Sequence, residues 1–178
     1  MTTVHAAIST AYTAAAWAGF GGGVATAAAA LAGLLFVAIS INLKQILAPA
    51  YPWLPTRAGQ TLILFATPLI VAVLLLVPGQ GRAALALELL ATGLIIGTSQ
   101  LYLDLKAPKR EGGEELSPWR RMLGRVFPEL LSCGCMMIAG ATLLAQAGGG
   151  LYWLVPSVIT ALIFGLLNVW VLLVEILR

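Results

Sequence analysis

The apolar residues of this chain fall into five long runs that are separated by polar or proline- and glycine-rich segments. A membrane-spanning α-helix needs about 20 consecutive, mostly apolar residues. The runs that reach this length are residues 17–43, 57–77, 82–103, 122–147 and 152–177. The sequence therefore predicts an all-α membrane protein with five transmembrane helices, which together form a single domain over residues 19–178.

The segments between the runs carry the signals that end helices. A proline cluster, Pro49, Pro52 and Pro55, follows the first run, and proline cannot continue a helix. Residues 104–121 contain the strongly charged stretch and are predicted to form a solvated cytoplasmic loop. Residues 1–18 are rich in alanine and threonine and are predicted to be extracytoplasmic, either as a short interfacial helix or as an extension of the first span.

Five spans divide the basic residues very unequally between the two sides of a membrane. The side with the N-terminus and the turns at 78–82 and 148–151 has one basic residue, Arg82. The opposite side has the other nine, which are Lys44, Arg57, Lys106, Lys109, Arg110, Arg120, Arg121, Arg125 and Arg178. Cytoplasmic loops are enriched in lysine and arginine. This distribution predicts an external N-terminus and a cytoplasmic C-terminus.

The composition agrees with a protein whose solvent is lipid. The chain is 60% hydrophobic and 10% charged, and its mean hydropathy is +0.97. Soluble domains have about 25% charged residues. The net charge of +3 is modest, and no basic run alternates with aromatic residues, so nucleic-acid binding is not expected. We expect the lipid bilayer of a bacterial cytoplasmic (plasma) membrane, with a eukaryotic inner membrane as the alternative.

Polar residues inside the third predicted helix form a stripe. At 3.6 residues per turn, Thr92 lies about 40° and Ser99 about 20° from Glu88 around the helix axis. Gly93 and Gly97 lie on the opposite face and have the spacing that lets two membrane helices approach closely. Glu88 has two interpretations: a structural carboxyl group, protonated or paired with Arg82, or a group that handles ions or protons.

The fifth predicted helix has a second polar stripe, Ser157, Asn168 and Glu175, whose members lie within about 20° of one another. Its residues could line an ion pathway or could form hydrogen bonds between helices. In the first helix Ala25, Ala29 and Gly33 are predicted to be packing residues. In the fourth helix Arg121, Arg125 and Glu129 follow at intervals of four, which predicts an ion-pair ladder at the cytoplasmic interface.

The side chains needed for common enzymatic sites are scarce. His5 is the only histidine and Asp104 the only aspartate, and no HExxH, CxxC or GxSxG motif occurs. The sequence therefore predicts a protein that is not an enzyme and that has no metal site and no cofactor.

The sequence is compatible with three classes of function. The first is a homo-oligomeric ion channel, or an ion or proton pathway, with the two polar stripes as its lining. The second is an accessory or regulatory subunit of a larger membrane complex, whose 104–121 loop contacts a cytoplasmic partner. The third is a small secondary transporter, although such proteins commonly contain inverted repeats and none is visible in this sequence.

Overall fold

The computed structural model describes residues 10–49, 52–106, 110–111, 114–115 and 126–176. Within these ranges five helices are long and apolar enough to cross a membrane, which confirms the predicted number. They are α1 (Ala18–Ile41), α2 (Leu54–Leu76), α3 (Arg82–Lys106), α4 (Phe127–Ala145) and α5 (Leu154–Ile176). The 3-10 turns Ala14–Trp17 and Gly150–Trp153 precede α1 and α5, and a short helix, Leu43–Ile46, follows α1.

Local side-chain and backbone chemistry ends two of these helices. Asn42 follows α1, and its side-chain Nδ2 donates a hydrogen bond to the Ala38 carbonyl at 2.9 Å. Gln146 follows α4 with a left-handed backbone φ of 55°, and Gly148, Gly149 and Gly150 also have positive φ. Glycine adopts this conformation without a steric penalty. The glycine-rich turn therefore lets the chain reverse between α4 and α5.

The third helix is longer than predicted, and this corrects the start of the charged loop. α3 continues to Lys106, so residues 104–106 are helical rather than part of a solvated loop. Asp104 is only 4% exposed and accepts a hydrogen bond from Gln60 Nε2 at 2.8 Å. Because α2 supplies this donor, the helix can continue through a residue whose charge suggested a loop.

Beyond α3 the described part of the loop is a small hairpin. β1 (Arg110–Glu111) pairs with β2 (Glu114–Glu115) in an antiparallel sheet, with Arg110 opposite Glu115. Arg121 and Arg125 of the predicted ladder lie outside the described residues. Glu129, the third member, is buried in the first turn of α4, so the ladder stays a prediction.

The second helix, rather than the third, has the central position in the single chain. α2 packs against α1, α3 and α5, whereas α3 packs mainly against α4. Small residues on the neighbouring helices explain this arrangement. A Cβ atom added at Gly165 of α5 would lie 2.5 Å from the Phe65 ring, and one added at Gly21 of α1 would lie 3.3 Å from Leu75 Cβ. The glycines thus allow α2 to approach both helices closely.

The outer surface of the bundle is apolar on several helices. Large exposed side chains include Phe36 and Ile41 on α1, Ile95 on α3 and Trp170 on α5. Soluble monomers rarely expose apolar surface on this scale. The fold is therefore compatible with an integral membrane protein, and the exposed side chains suit contact with lipid.

Candidate functional site

Glu88 lies in the second turn of α3, half-buried near the turn that joins α2 to α3. Gln80 in that turn donates a hydrogen bond from Nε2 to Glu88 Oε2. Arg82, the basic residue that the sequence suggested as a partner of Glu88, instead contacts the side-chain amide of Gln146, whose oxygen accepts its N–H groups. The side chain that holds the Glu88 carboxyl group is thus a neutral amide rather than Arg82.

Glu88, Thr92 and Ser99, hereafter the Glu88 stripe, lie along the border between the buried face and the exposed face of α3. Thr92 is half-buried and Ser99 is exposed. The Ser99 hydroxyl donates to the carbonyl of Ile95 in its own helix at 2.7 Å, so it needs no partner from a neighbouring helix. The stripe therefore lies at the edge of the packed surface of α3, and only Ser99 is exposed.

The three polar residues predicted for the fifth helix lie in different environments. Ser157 is buried against Ser132 of α4, and each hydroxyl donates to the other residue's carbonyl, at 2.7 Å from Ser157 and 3.0 Å from Ser132. Asn168 is half-buried and forms no hydrogen bond within the described ranges. Glu175 belongs to α5, but its side chain lies outside the described part. Ser157 thus connects two helices of one chain.

The predicted packing residues also divide into two groups. Gly93 and Gly97 of α3 face α4, where a Cβ atom at Gly93 would lie 2.7 Å from Met137 Cγ and one at Gly97 would lie 3.7 Å from Cys133 Cβ. The packing residues predicted in α1 mostly do not lie between helices of the chain. Ala25 is half-buried, whereas Ala29 and Gly33 are exposed. A Cβ atom at Gly33 would meet nothing within 4 Å.

A buried polar cluster near the α2 start and α3 end was not predicted from the sequence. It comprises Gln60, Gln100, Asp104 and Glu129, which are all at most 7% exposed. Besides the bond from Gln60 to Asp104, Gln100 Nε2 donates to the Gln60 carbonyl at 3.4 Å. Asp104 and Glu129 have further interaction partners. The cluster therefore joins α2 and α3 through polar contacts, and Glu129 of α4 lines the cleft beside it.

A small cleft beside this cluster is lined by Gln100, Asp104, Glu129 and Cys133 and has a volume of about 30 Å³. The side-chain amide oxygen of Gln100, Oε1, is buried and has no hydrogen-bond donor within the described part of the chain. One sequence signal could have indicated the cluster, because Gln60 lies near the start of α2 while Gln100 and Asp104 lie near the end of α3. Residues at these positions come to the same level when two consecutive helices are antiparallel.

These features define a small α-helical protein with five helices long and apolar enough to span a membrane, one polar stripe along α3 and one buried polar cluster. Comparison of the chain with models of known protein families, with curated protein sequences and with solved structures found no match.

Proposed function

We propose that this protein forms a homo-oligomeric pathway for a small cation or proton across a membrane, and that the Glu88 stripe lines it. The observation that carries the proposal is the position of this stripe at the border of the exposed face of α3, where Glu88 and Thr92 are only half-buried and Ser99 is exposed. A carboxylate inside a transmembrane helix is costly next to lipid, so it usually faces protein or water. Further copies of the chain would provide both.

The hydrogen bonding of Glu88 supports a cation as the transported species. Gln80 donates to the carboxylate, while Arg82 is engaged with Gln146. No lysine or arginine in the described ranges forms an ion pair with Glu88. Rings of glutamate side chains select cations in channels. Copies of Glu88 arranged around an axis would form such a ring.

The orientation of the chain is part of this proposal. We place the N-terminus and the turn that contains Gln80 and Arg82 outside, and the buried polar cluster and the hairpin on the cytoplasmic side of a bacterial cytoplasmic membrane. The unequal distribution of basic residues supports this direction. A cysteine introduced at Gly79 should then react with an impermeant maleimide on intact cells, whereas one at Lys44 should react only after lysis. The reverse pattern would overturn the orientation.

Ion flux in liposomes tests the proposed activity directly. The purified protein should pass protons, potassium or sodium but not chloride, and Glu88→Gln should reduce or abolish that flux. Glu115→Gln makes the same chemical change in β2, outside the five helices, and should leave the flux unchanged. Folded protein with no flux above that of empty liposomes would contradict the proposal.

An accessory or regulatory subunit is the second candidate, and the open face of α1 favours it. Ala29 and Gly33 are small and exposed, so a helix of another protein could pack closely against them. Stoichiometry separates the two candidates. Purification as a symmetric oligomer supports the pathway, whereas a monomer that co-purifies with a different membrane protein supports the accessory role.

A further inference from the structure

The turn between α2 and α3 contacts the Glu88 stripe through the side chain of Gln80. This residue is half-buried, whereas residues 77–79 and Gly81 of the same turn are exposed. Gln80 Nε2 donates a hydrogen bond to Glu88 Oε2. Because a carboxylate can only accept, this N–H group occupies one of the positions at which the carboxylate would bind a cation. A cation that binds at the same oxygen therefore has to replace the amide of Gln80.

The contact between Gln80 and Glu88 leaves the other atom of the same amide without a partner. Gln80 Oε1 is buried and has no hydrogen-bond donor in the part of the chain that the structure describes. The cost of a buried acceptor without a donor is comparable to the net gain from one hydrogen bond. If the side chain moves into water, Oε1 gains a donor and Nε2 exchanges Glu88 for a water molecule. The contact is therefore weak on balance, and a competing ligand of Glu88 can open it.

The surroundings of the turn leave room for the Gln80 side chain to move. Gln80 lies between Gly79 and Gly81, and a Cβ atom added at either glycine would meet nothing within 4 Å. A cavity of about 450 Å³ borders the turn, at the end of the bundle opposite the buried polar cluster. Pro78, Gly79 and Gln80 are among its wall residues. The cavity thus provides space for an amide that has left Glu88.

We propose that Gln80 is the gating residue of the cation pathway: its amide covers Glu88 in the closed state, and an arriving potassium or sodium ion displaces it. This inference rests on the proposed pathway and adds the step by which a cation enters it. Arg82 follows in the same segment but contacts Gln146 instead of Glu88. The group that covers the carboxylate is therefore a neutral amide, which a cation can displace more easily than it could displace a charged side chain.

The concentration dependence of potassium and sodium flux into liposomes tests this displacement. Gln80→Met keeps the length of the side chain but removes the donor, so the cation no longer competes with an amide. Half-maximal flux should then need about twofold to tenfold less cation, the change expected if the contact is closed for about half to nine-tenths of the time. Maximal flux should change little, because Glu88 is intact. Gln80→Arg should abolish flux, because a cationic side chain stays paired with Glu88.

Chemical labelling of Glu88 gives a second readout that does not depend on flux. Dicyclohexylcarbodiimide is lipid-soluble and couples to carboxyl groups, and mass spectrometry identifies the modified peptide. Glu88 should be labelled faster in Gln80→Met than in the wild-type protein, because the amide no longer covers it. Gln45→Met makes the same change at an exposed position and should alter neither labelling nor flux.

The outcomes separate the gate from the pathway. If the wild-type protein passes potassium or sodium, but Gln80→Met leaves either the half-maximal concentration or the labelling rate unchanged, the gate is overturned and the pathway stands. Passage of protons alone would likewise contradict the gate and leave the pathway. Folded wild-type protein without any flux would overturn the pathway, and the gate with it.

Discussion

Two carboxylates inside the helices are held by glutamine amides. Gln80 donates to Glu88 near one end of α3, and Gln60 donates to Asp104 near the other end. An amide N–H stabilises a carboxylate and leaves its negative charge in place, whereas an arginine or lysine would cancel that charge. At Glu88 this matters for function, because a retained charge can attract a cation. At Asp104, which has further partners, the bond matters for the fold.

Substitution of Gln60 should show what the buried amide contributes to stability. Gln60→Leu leaves the buried Asp104 carboxylate without one donor, and we expect the free energy of unfolding to fall by about 1–3 kcal/mol. Thermal unfolding in detergent, followed by circular dichroism, measures the change. Gln45→Leu, at an exposed position, is the matched control and should have little effect. Equal stability of both variants would show that the Gln60–Asp104 bond contributes nothing measurable.

The serine pair between α4 and α5 allows a prediction about additivity. The hydroxyls of Ser132 and Ser157 each donate to a main-chain carbonyl, and an alanine substitution at one serine leaves the carbonyl that the other serine uses. We therefore expect Ser132→Ala and Ser157→Ala each to reduce stability by about 0.6–1.7 kcal/mol. The double variant should lose the sum of the two. A large coupling energy in this double-mutant cycle would mean that the hydroxyls interact mainly with each other.

At the residue scale, the sequence identified polar residues inside the helices but not the residues that they contact. Glu88 and Ser157 stood out because each interrupts an apolar run. The contact between Ser157 and Ser132, however, depends on how far α5 is shifted along α4. No local sequence pattern encodes that shift. Asp104 was assigned to a loop because charged residues follow it closely. Only its contact with Gln60, which is 44 positions away in sequence, shows that it belongs to the helix interior.

At the scale of elements, close contacts at glycine determine which helices pair. Gly140 of α4 faces α3, where an added Cβ atom would lie 2.8 Å from the Ala86 carbonyl oxygen and 2.8 Å from Leu90 Cγ. The corresponding atom at Gly93 would meet the flexible side chain of Met137. Backbone atoms cannot move aside as easily as a methionine side chain. Gly140 therefore restricts the α3–α4 distance more than Gly93 does.

Alanine substitutions within α4 test this difference on one helix. Gly140→Ala should destabilise the protein by about 1–3 kcal/mol, because the helices must separate or the backbone must shift. Gly134→Ala lies where an added Cβ atom meets nothing within 4 Å, so it should be neutral or stabilise the helix by up to about 1 kcal/mol. Unfolding in detergent compares the two. If Gly140→Ala is as stable as Gly134→Ala, the close contact at Gly140 does not restrict the distance between α3 and α4.

The five helices could be predicted from the sequence because length and hydropathy suffice for a membrane span. Their boundaries could be predicted less well, as α3 shows by continuing to Lys106. Gly93 and Gly97 drew attention through their spacing, but nothing in that spacing identified α4 as the helix they face. The exposure of Ala29 and Gly33 on α1 could not be predicted either, because it is Gly21, on a different part of the helix surface, that contacts α2. The spacing of glycine and alanine residues indicates that a helix face has small side chains. Which helix packs against that face depends on the arrangement of the whole bundle.

At the scale of the whole molecule, the two ends of the bundle differ in chemistry. One end has the cavity, the Gln80–Glu88 bond and the packed aromatic residues Trp17 and Tyr152. The other end has the buried polar cluster.

Assembly around the Glu88 stripe predicts which faces of the molecule meet. Ser99 is exposed on the stripe, and Ile163 is exposed on α5 in a purely apolar setting. Ser99→Cys should form disulfide- or bismaleimide-linked dimers in native membranes, whereas Ile163→Cys should stay monomeric because it faces lipid. The native Cys133 and Cys135 are buried and should not react. If neither variant cross-links, or if both do so equally, the stripe is not the contact between copies, and Glu88 must then be covered by a different protein or face lipid.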